Sequence, residues 1–129
     1  MSNILNALSL SASGMDAQAS RLRHVSENIA NADTPGYRRK TVSFDSDMRA
    51  PVPGTVSVGK VALDKSELSE MFDPGHPLAD ANGKYQGSNV DILIEIADAR
   101  EAQRSYDANL KIFDQARQMS QGLLELLRR

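Results

Sequence analysis

The chain has 129 residues, 40% of them apolar, and its 15 basic and 17 acidic side chains leave a net charge of −2. That size fits one domain with a modest core, and the near balance of charge argues against a general nucleic-acid binder. Cysteine is absent, which excludes disulfides and thiolate chemistry, and no run of about eighteen apolar residues offers a membrane-spanning helix.

Residues 3–31 read as one long helix. Leu5, Leu8, Ala12, Met15, Ala19, Leu22, Ser26 and Ile29 recur at alternating steps of three and four, the seam of a coiled coil. Ala12, Ala19 and Ser26 fill one row of that seam, so a partner helix can approach closely there. Gly14 costs about 1 kcal/mol relative to alanine inside a helix. Either a crowding neighbour selects it or the chain tolerates it. The N-terminus lacks a basic start, and Asn3, Asn6, Ser9, Ser11 and Ser13 dilute its apolar content. An exported chain of this kind leaves the cytoplasm without a cleaved signal peptide. Pro35 pushes Thr34 out of helical conformations and Gly36 supplies a turn. The basic run Arg38-Arg39-Lys40 reads as a solvated segment after that turn, or as a contact for an acidic partner.

Residues 35–88 hold the prolines and most of the glycines. Thr55-Val56-Ser57-Val58 alternates like a strand, and Val61-Ala62-Leu63 continues it past Gly59. Two or three short strands with loops are expected. In Asp73-Pro74-Gly75-His76-Pro77-Leu78-Ala79-Asp80, two prolines and a glycine between aspartates make a rigid turn. Asp73, His76 and Asp80 could instead hold a metal, but the sequence supplies no second ligand cluster, so the structural turn is preferred and no metal or cofactor is expected.

Residues 90–128 read as a second long helix. Ser88 or Asn89 can cap it, and Asp91 follows Ser88 at capping-box spacing. Ile92, Ala99, Tyr106, Phe113, Ser120 and Leu127 recur every seven residues, with Ile96, Ala102, Asn109, Ala116 and Leu123 as the companion row. Both ends of this helix are apolar nearly all round, through Ile92-Leu93-Ile94 and Leu123-Leu124-Leu126-Leu127. Helices of these spans are roughly 43 and 58 Å long, whereas a compact domain of this size has a radius of gyration of about 14 Å. Something outside the chain must cover them.

The expected fold is therefore mainly α. Residues 1–34 and 89–129 form an antiparallel coiled coil, and a small β-containing, loop-rich segment, 35–88, lies between. No phosphate loop, nucleophile elbow or metalloprotease motif is present, and His24 and His76 lack an evident triad. A non-enzymatic protein with no small-molecule substrate is the reading that follows.

Two blocks carry a family resemblance. Asn28-Ile29-Ala30-Asn31-Ala32-Asp33-Thr34-Pro35-Gly36-Tyr37-Arg38 resembles the N-terminal motif of the bacterial flagellar axial proteins, which make rod, hook and hook-associated structures. Asp73-Pro74-Gly75-His76-Pro77 through Asp80, followed by Gly83 and Asn89-Val90, is similar to the small proximal rod members of that family, as is Ala102 through Asn109. A Gly-Gly-Pro-Tyr insertion carried by many of those members is missing here. The resemblance implies export through the flagellar type III apparatus and assembly in the periplasmic basal body into a helical tube that transmits torque. It implies as partners further copies of the chain, other rod proteins and the membrane-ring adapter. On this reading Leu5, Leu8, Met15, Leu22, Ile29, Ile92, Ile96, Tyr106, Phe113, Leu123 and Leu127 form the assembly seam. The competing reading is a soluble coiled-coil adaptor or secretion chaperone of the cytoplasm.

Overall fold

A computed structural model of the protein describes residues 2–128. Helix α1 spans Ser2–Ala30 and helix α2 spans Ile92–Arg128. Strands β1 (Lys40–Asp47), β2 (Thr55–Leu63), β3 (Glu70–Phe72) and β4 (Lys84–Gln86) lie between them. The two helices pack on each other in opposite directions: Gly14 faces Asn109 near the middle, and Asn28 at the end of α1 meets Glu95 at the start of α2. A Cβ on Gly14 would stand 2.8 Å from the Asn109 amide. The Asn109 side chain therefore fills the space that a Cβ on Gly14 would take.

The contact row on α1 is Ile4, Ala7, Ser11, Gly14, Arg21, Val25 and Asn28, with Ser11, Val25 and Asn28 buried. It lies one residue before the heptad that the apolar pattern picks out, about 100° round the helix. Leu5 and Ile29 are accordingly exposed, and Leu8, Met15 and Leu22 are half-buried. On α2 the expected rows serve the contact in the middle, where Ala102 and Ala116 are buried and Ala99, Tyr106, Asn109 and Phe113 half-buried. At the ends they do not: Ile92, Ile96, Leu123 and Leu127 are exposed, and fully buried Glu95 takes the inward place in the first turn. Ile4 and Ala7 face Ala116 and Met119, so roughly the last two turns of α2 run past the start of α1.

Asp91 caps α2, its carboxylate accepting from the Leu93 amide at 3.0 Å. Ser88 and Asn89, the expected caps, are engaged elsewhere.

β1 and β2 form an antiparallel hairpin, Lys40 opposite Leu63 and Asp47 opposite Thr55, with a register shift between Val42 and Phe44. The alternation at Thr55–Val58 marks β2; β1, β3 and β4 add to it. The hairpin runs back along α1, tied at one end by Asn28 to Lys40 and near the other by the Val56 amide donating to Ser13 Oγ at 3.1 Å. Val42 and Phe44 turn toward His24 and Val25 beneath it. The hairpin thus covers one side of α1, and none of the described strands packs against α2. On the opposite side lie Leu5, Leu8, Met15, Leu22 and Ile29 of α1 beside Ile96, Tyr106, Leu110 and Phe113 of α2, with none of the described strands over them. β3 and β4 pair separately, Met71 opposite Tyr85.

Candidate functional site

The segment between α1 and β1 is a short clasp. Asn31 closes the helix end: its amide donates to the Glu27 carbonyl at 2.9 Å and its carbonyl accepts from Thr34 Oγ1 at 3.1 Å. Thr34-Pro35-Gly36-Tyr37 then forms a type II turn. The Tyr37 amide donates to the Thr34 carbonyl at 3.1 Å, proline holds the second position, and Gly36 has the positive φ of 75° that the third requires. The Gly36 amide donates to the Gly87 carbonyl at 3.0 Å, and Ser88 Oγ donates to the Ala32 carbonyl. The motif is thereby pinned to the exit of β4.

Beneath the clasp lies a buried polar network. Asn28 and Glu95 are fully enclosed. The Asn28 carbonyl accepts from Tyr37 Oη and from the Lys40 amide, both at 2.8 Å. Its amide donates to the Lys40 carbonyl at 3.0 Å and to Glu95 Oε2 at 3.3 Å. Glu95 Oε1 accepts from Arg39 Nε at 2.6 Å, and the Arg39 amide donates to Asn89 Oδ1 at 2.7 Å. Asn89 in turn donates to the Asp64 carbonyl at 3.0 Å. One asparagine thus joins the end of α1, the turn, β1 and the start of α2. A buried charge is tolerated when paired and hydrogen-bonded, and Glu95 meets both conditions. Its hydrogen bond raises the Arg39 pKa further, and burial lifts the Tyr37 phenol above its ordinary value.

The basic run is not a solvated segment. Arg38 donates to the Asp64 and Ser66 carbonyls, Arg39 pairs with Glu95, and Lys40 pairs with Glu27 at 2.7 Å. His24 Nδ1 is buried without a hydrogen-bond partner among the described residues, 3.7 Å from the Glu27 carboxylate.

The second motif block sits at the tip of β3 and β4, apart from this network. The Asp73 carboxylate accepts from the Gly75 amide, His76 Nδ1 accepts from the Leu78 amide, and Asp80 Oδ1 accepts from the Asn82 and Lys84 amides. The His76 ring stacks on Tyr85 with centroids 3.9 Å apart. Each prospective ligand thus accepts a backbone amide within its own turn. Gly75 has an ordinary backbone and meets only Asp73 at 3.5 Å. The demanding glycine is Gly83, with φ of 77° and a Cβ position 2.9 Å from Pro74.

Asn28, Tyr37 and the turn residues come together as the motif suggests. Glu95, Arg39, Asn89 and Asp64 complete the network; Asn89 belongs to the second family block and Arg39 to the basic run, whereas no motif marks Glu95 or Asp64. The sequence signal of Glu95 is a charge inside an otherwise aliphatic helix start.

Nothing in this arrangement assembles a nucleophile, base and open substrate space; it braces helices. Two family models agree with that character. Residues 8–38 match the flagella basal body rod protein family, and residues 81–126 match the flagellar basal body rod FlgEFG protein C-terminal family. Over 95% of its length the chain is 47% identical to the flagellar basal-body rod protein FlgC of Agrobacterium fabrum, covering 94% of that protein. The same-named proteins of Salmonella typhimurium and Bacillus subtilis are 35% and 34% identical over 95% and 94% of the chain, covering 97% and 96% of their own lengths. These matches define a flagellar rod protein. The chain belongs to the FlgC family of flagellar basal-body rod proteins. The adaptor or chaperone reading, which no such match supports, is set aside.

Proposed function

We propose that this protein is a structural, non-enzymatic subunit of the proximal rod of the bacterial flagellar basal body. It polymerises into a helical tube with further copies of itself and with other rod proteins, and the tube carries torque. The two helices act together as an antiparallel coiled coil, residues 1–34 and 89–129, and the middle segment, 35–88, braces adjacent subunits. Export through the flagellar type III apparatus, without signal cleavage, and contact with the membrane-ring adapter belong to the same reading.

The observation that carries it is the uncovered apolar side of the helix pair. Leu5 and Ile29 on α1 and the overhanging Leu123, Leu124, Leu126 and Leu127 on α2 are exposed, and none of the described strands packs against α2. So many large apolar side chains left exposed on one helix pair mark an interaction surface. Contacts between unlike patches of identical subunits build filaments when the rotation does not close.

Leu5→Asp and Leu127→Asp change exposed residues, so the isolated variants should keep the circular dichroism of the parent. In a strain lacking the native protein they should still be secreted but fail to enter basal bodies, and swimming should be lost. Normal motility with both variants would overturn the assignment of this surface to assembly.

A further inference from the structure

Asn82 is the only asparagine of the sequence that precedes a glycine. A backbone amide nitrogen that follows asparagine can attack the carbonyl carbon of the asparagine side chain. The new C–N bond closes a five-membered succinimide, the bond from that carbonyl to the amide nitrogen breaks, and ammonia leaves. Water then opens the ring to aspartate or isoaspartate. Glycine as the following residue favours the attack, because no Cβ blocks the approach and its backbone reaches the required angles.

We propose that Asn82-Gly83 is a spontaneous deamidation site of the unfolded protein that folding closes. The Asn82 side chain is exposed and makes no hydrogen bond among the described residues, so its amide is available. The attacking nitrogen is not. Gly83 is buried, its N–H donates to the Asp80 carbonyl at 3.0 Å, and its carbonyl accepts from the Asp73 amide at 2.8 Å. The Asp80 carboxylate braces the same turn by accepting from the Asn82 amide at 2.8 Å and the Lys84 amide at 3.0 Å. Pro74 and Phe72 crowd the Gly83 α-carbon, a Cβ there lying 2.9 and 3.0 Å from them. Swinging the Gly83 nitrogen onto the Asn82 carbonyl breaks its bond to Asp80 and moves a packed residue.

The reaction therefore runs from the opened loop, and its rate follows the population of that opening. Isoaspartate adds a methylene to the backbone of the Asp80 turn and a negative charge two residues from Asp80. A molecule modified before folding closes this loop poorly. Time spent with this loop open, unfolded chain included, is recorded at one residue.

The test is peptide mapping by mass spectrometry of the full-length protein, incubated in neutral buffer and in urea. Deamidation at Asn82 should be at least about tenfold slower in the native protein, since only opened molecules react. Asp80→Ala, with folding confirmed by circular dichroism, should speed the native reaction and leave the urea rate unchanged. Equal rates for the parent in buffer and urea, or an unmodified Asn82 in urea, would overturn the proposal. A native Asp80→Ala rate equal to the parent's would remove Asp80 from the protective turn and overturn that part of the argument.

Discussion

Asn28→Ala should be among the most damaging substitutions in this protein. It removes four hydrogen bonds at a fully enclosed position and leaves Tyr37 Oη, both backbone groups of Lys40 and Glu95 Oε2 without that partner. An unsatisfied buried group costs about 1–3 kcal/mol. Tyr37 and Lys40 are half-buried, so water relieves part of the loss. Glu95 keeps Arg39. A total of about 3–4 kcal/mol follows, a large share of the roughly 5–15 kcal/mol that holds a typical domain together. For a protein of this length it corresponds to a fall in Tm of roughly 10–20 °C. Tyr37→Phe deletes one bond and leaves Asn28 its others, so it should cost about 1 kcal/mol. Because both changes strike the same bond, the double variant should lose less than the sum of the two. Urea titration followed by circular dichroism measures all three variants. An Asn28→Ala cost below about 1 kcal/mol, or strict additivity with Tyr37→Phe, would refute a shared, water-excluded network.

Gly83→Ala should destabilise the β3–β4 tip, because its φ of 77° and its contact with Pro74 both oppose a Cβ. Gly75→Ala should leave thermal stability nearly unchanged, and equal losses for the two would show that the loop geometry is wrong. Stability should also fall in acid. The Lys40 hydrogen bond holds Glu27 below the ordinary carboxylate range, the Ser66 backbone amide does so for Asp64, and the Lys84 and Asn82 amides do so for Asp80. Depressed folded-state values stabilise above the unfolded pKa, and that contribution disappears as pH drops through the folded one. The loss should begin below about pH 4. Titration of the three carboxylates by nuclear magnetic resonance, giving unperturbed midpoints, would contradict these contacts.

The pattern of the sequence carries the two helices, their lengths, the β2 strand and the turn at Pro35-Gly36. It carries much less about which face meets what. The apolar row of α1 is plain in the heptads, yet the α1–α2 contact uses the neighbouring row, where Gly14 makes room for the Asn109 side chain and Asn28 is buried by hydrogen bonding. Neither residue adds apolar weight, so a periodicity argument steps past both. Glu95 is hidden for the same reason: a carboxylate among isoleucines reads as the solvent side of an amphipathic helix. β1 carries its alternation only in Val42 and Phe44, diluted by lysine and two aspartates. Gly75 and Gly83 look alike in sequence; only the bonds from the Gly83 amide to the Asp80 carbonyl and from the Asp73 amide to the Gly83 carbonyl fix which one needs a positive φ.

The rows of α1 then sort by what covers them. Ile4 through Asn28 meet α2. Leu10 and Ser13, one residue to the other side, lie under the β1–β2 hairpin. The third row, Leu5 through Ile29, is the most apolar of the three and has no cover among the described strands. Ordinary folding selection places the largest side chains inside. Here small and polar groups are inside, held by hydrogen bonds, and the larger apolar side chains of the third row stay exposed or half-buried. Enclosing five such partly exposed side chains between subunits gives on the order of 1 kcal/mol each. Spread along a helix, that becomes a continuous lateral seam. A subunit built this way folds through its polar clasp and keeps its strongest apolar row for its neighbours, which is the division of labour a polymerising rod requires.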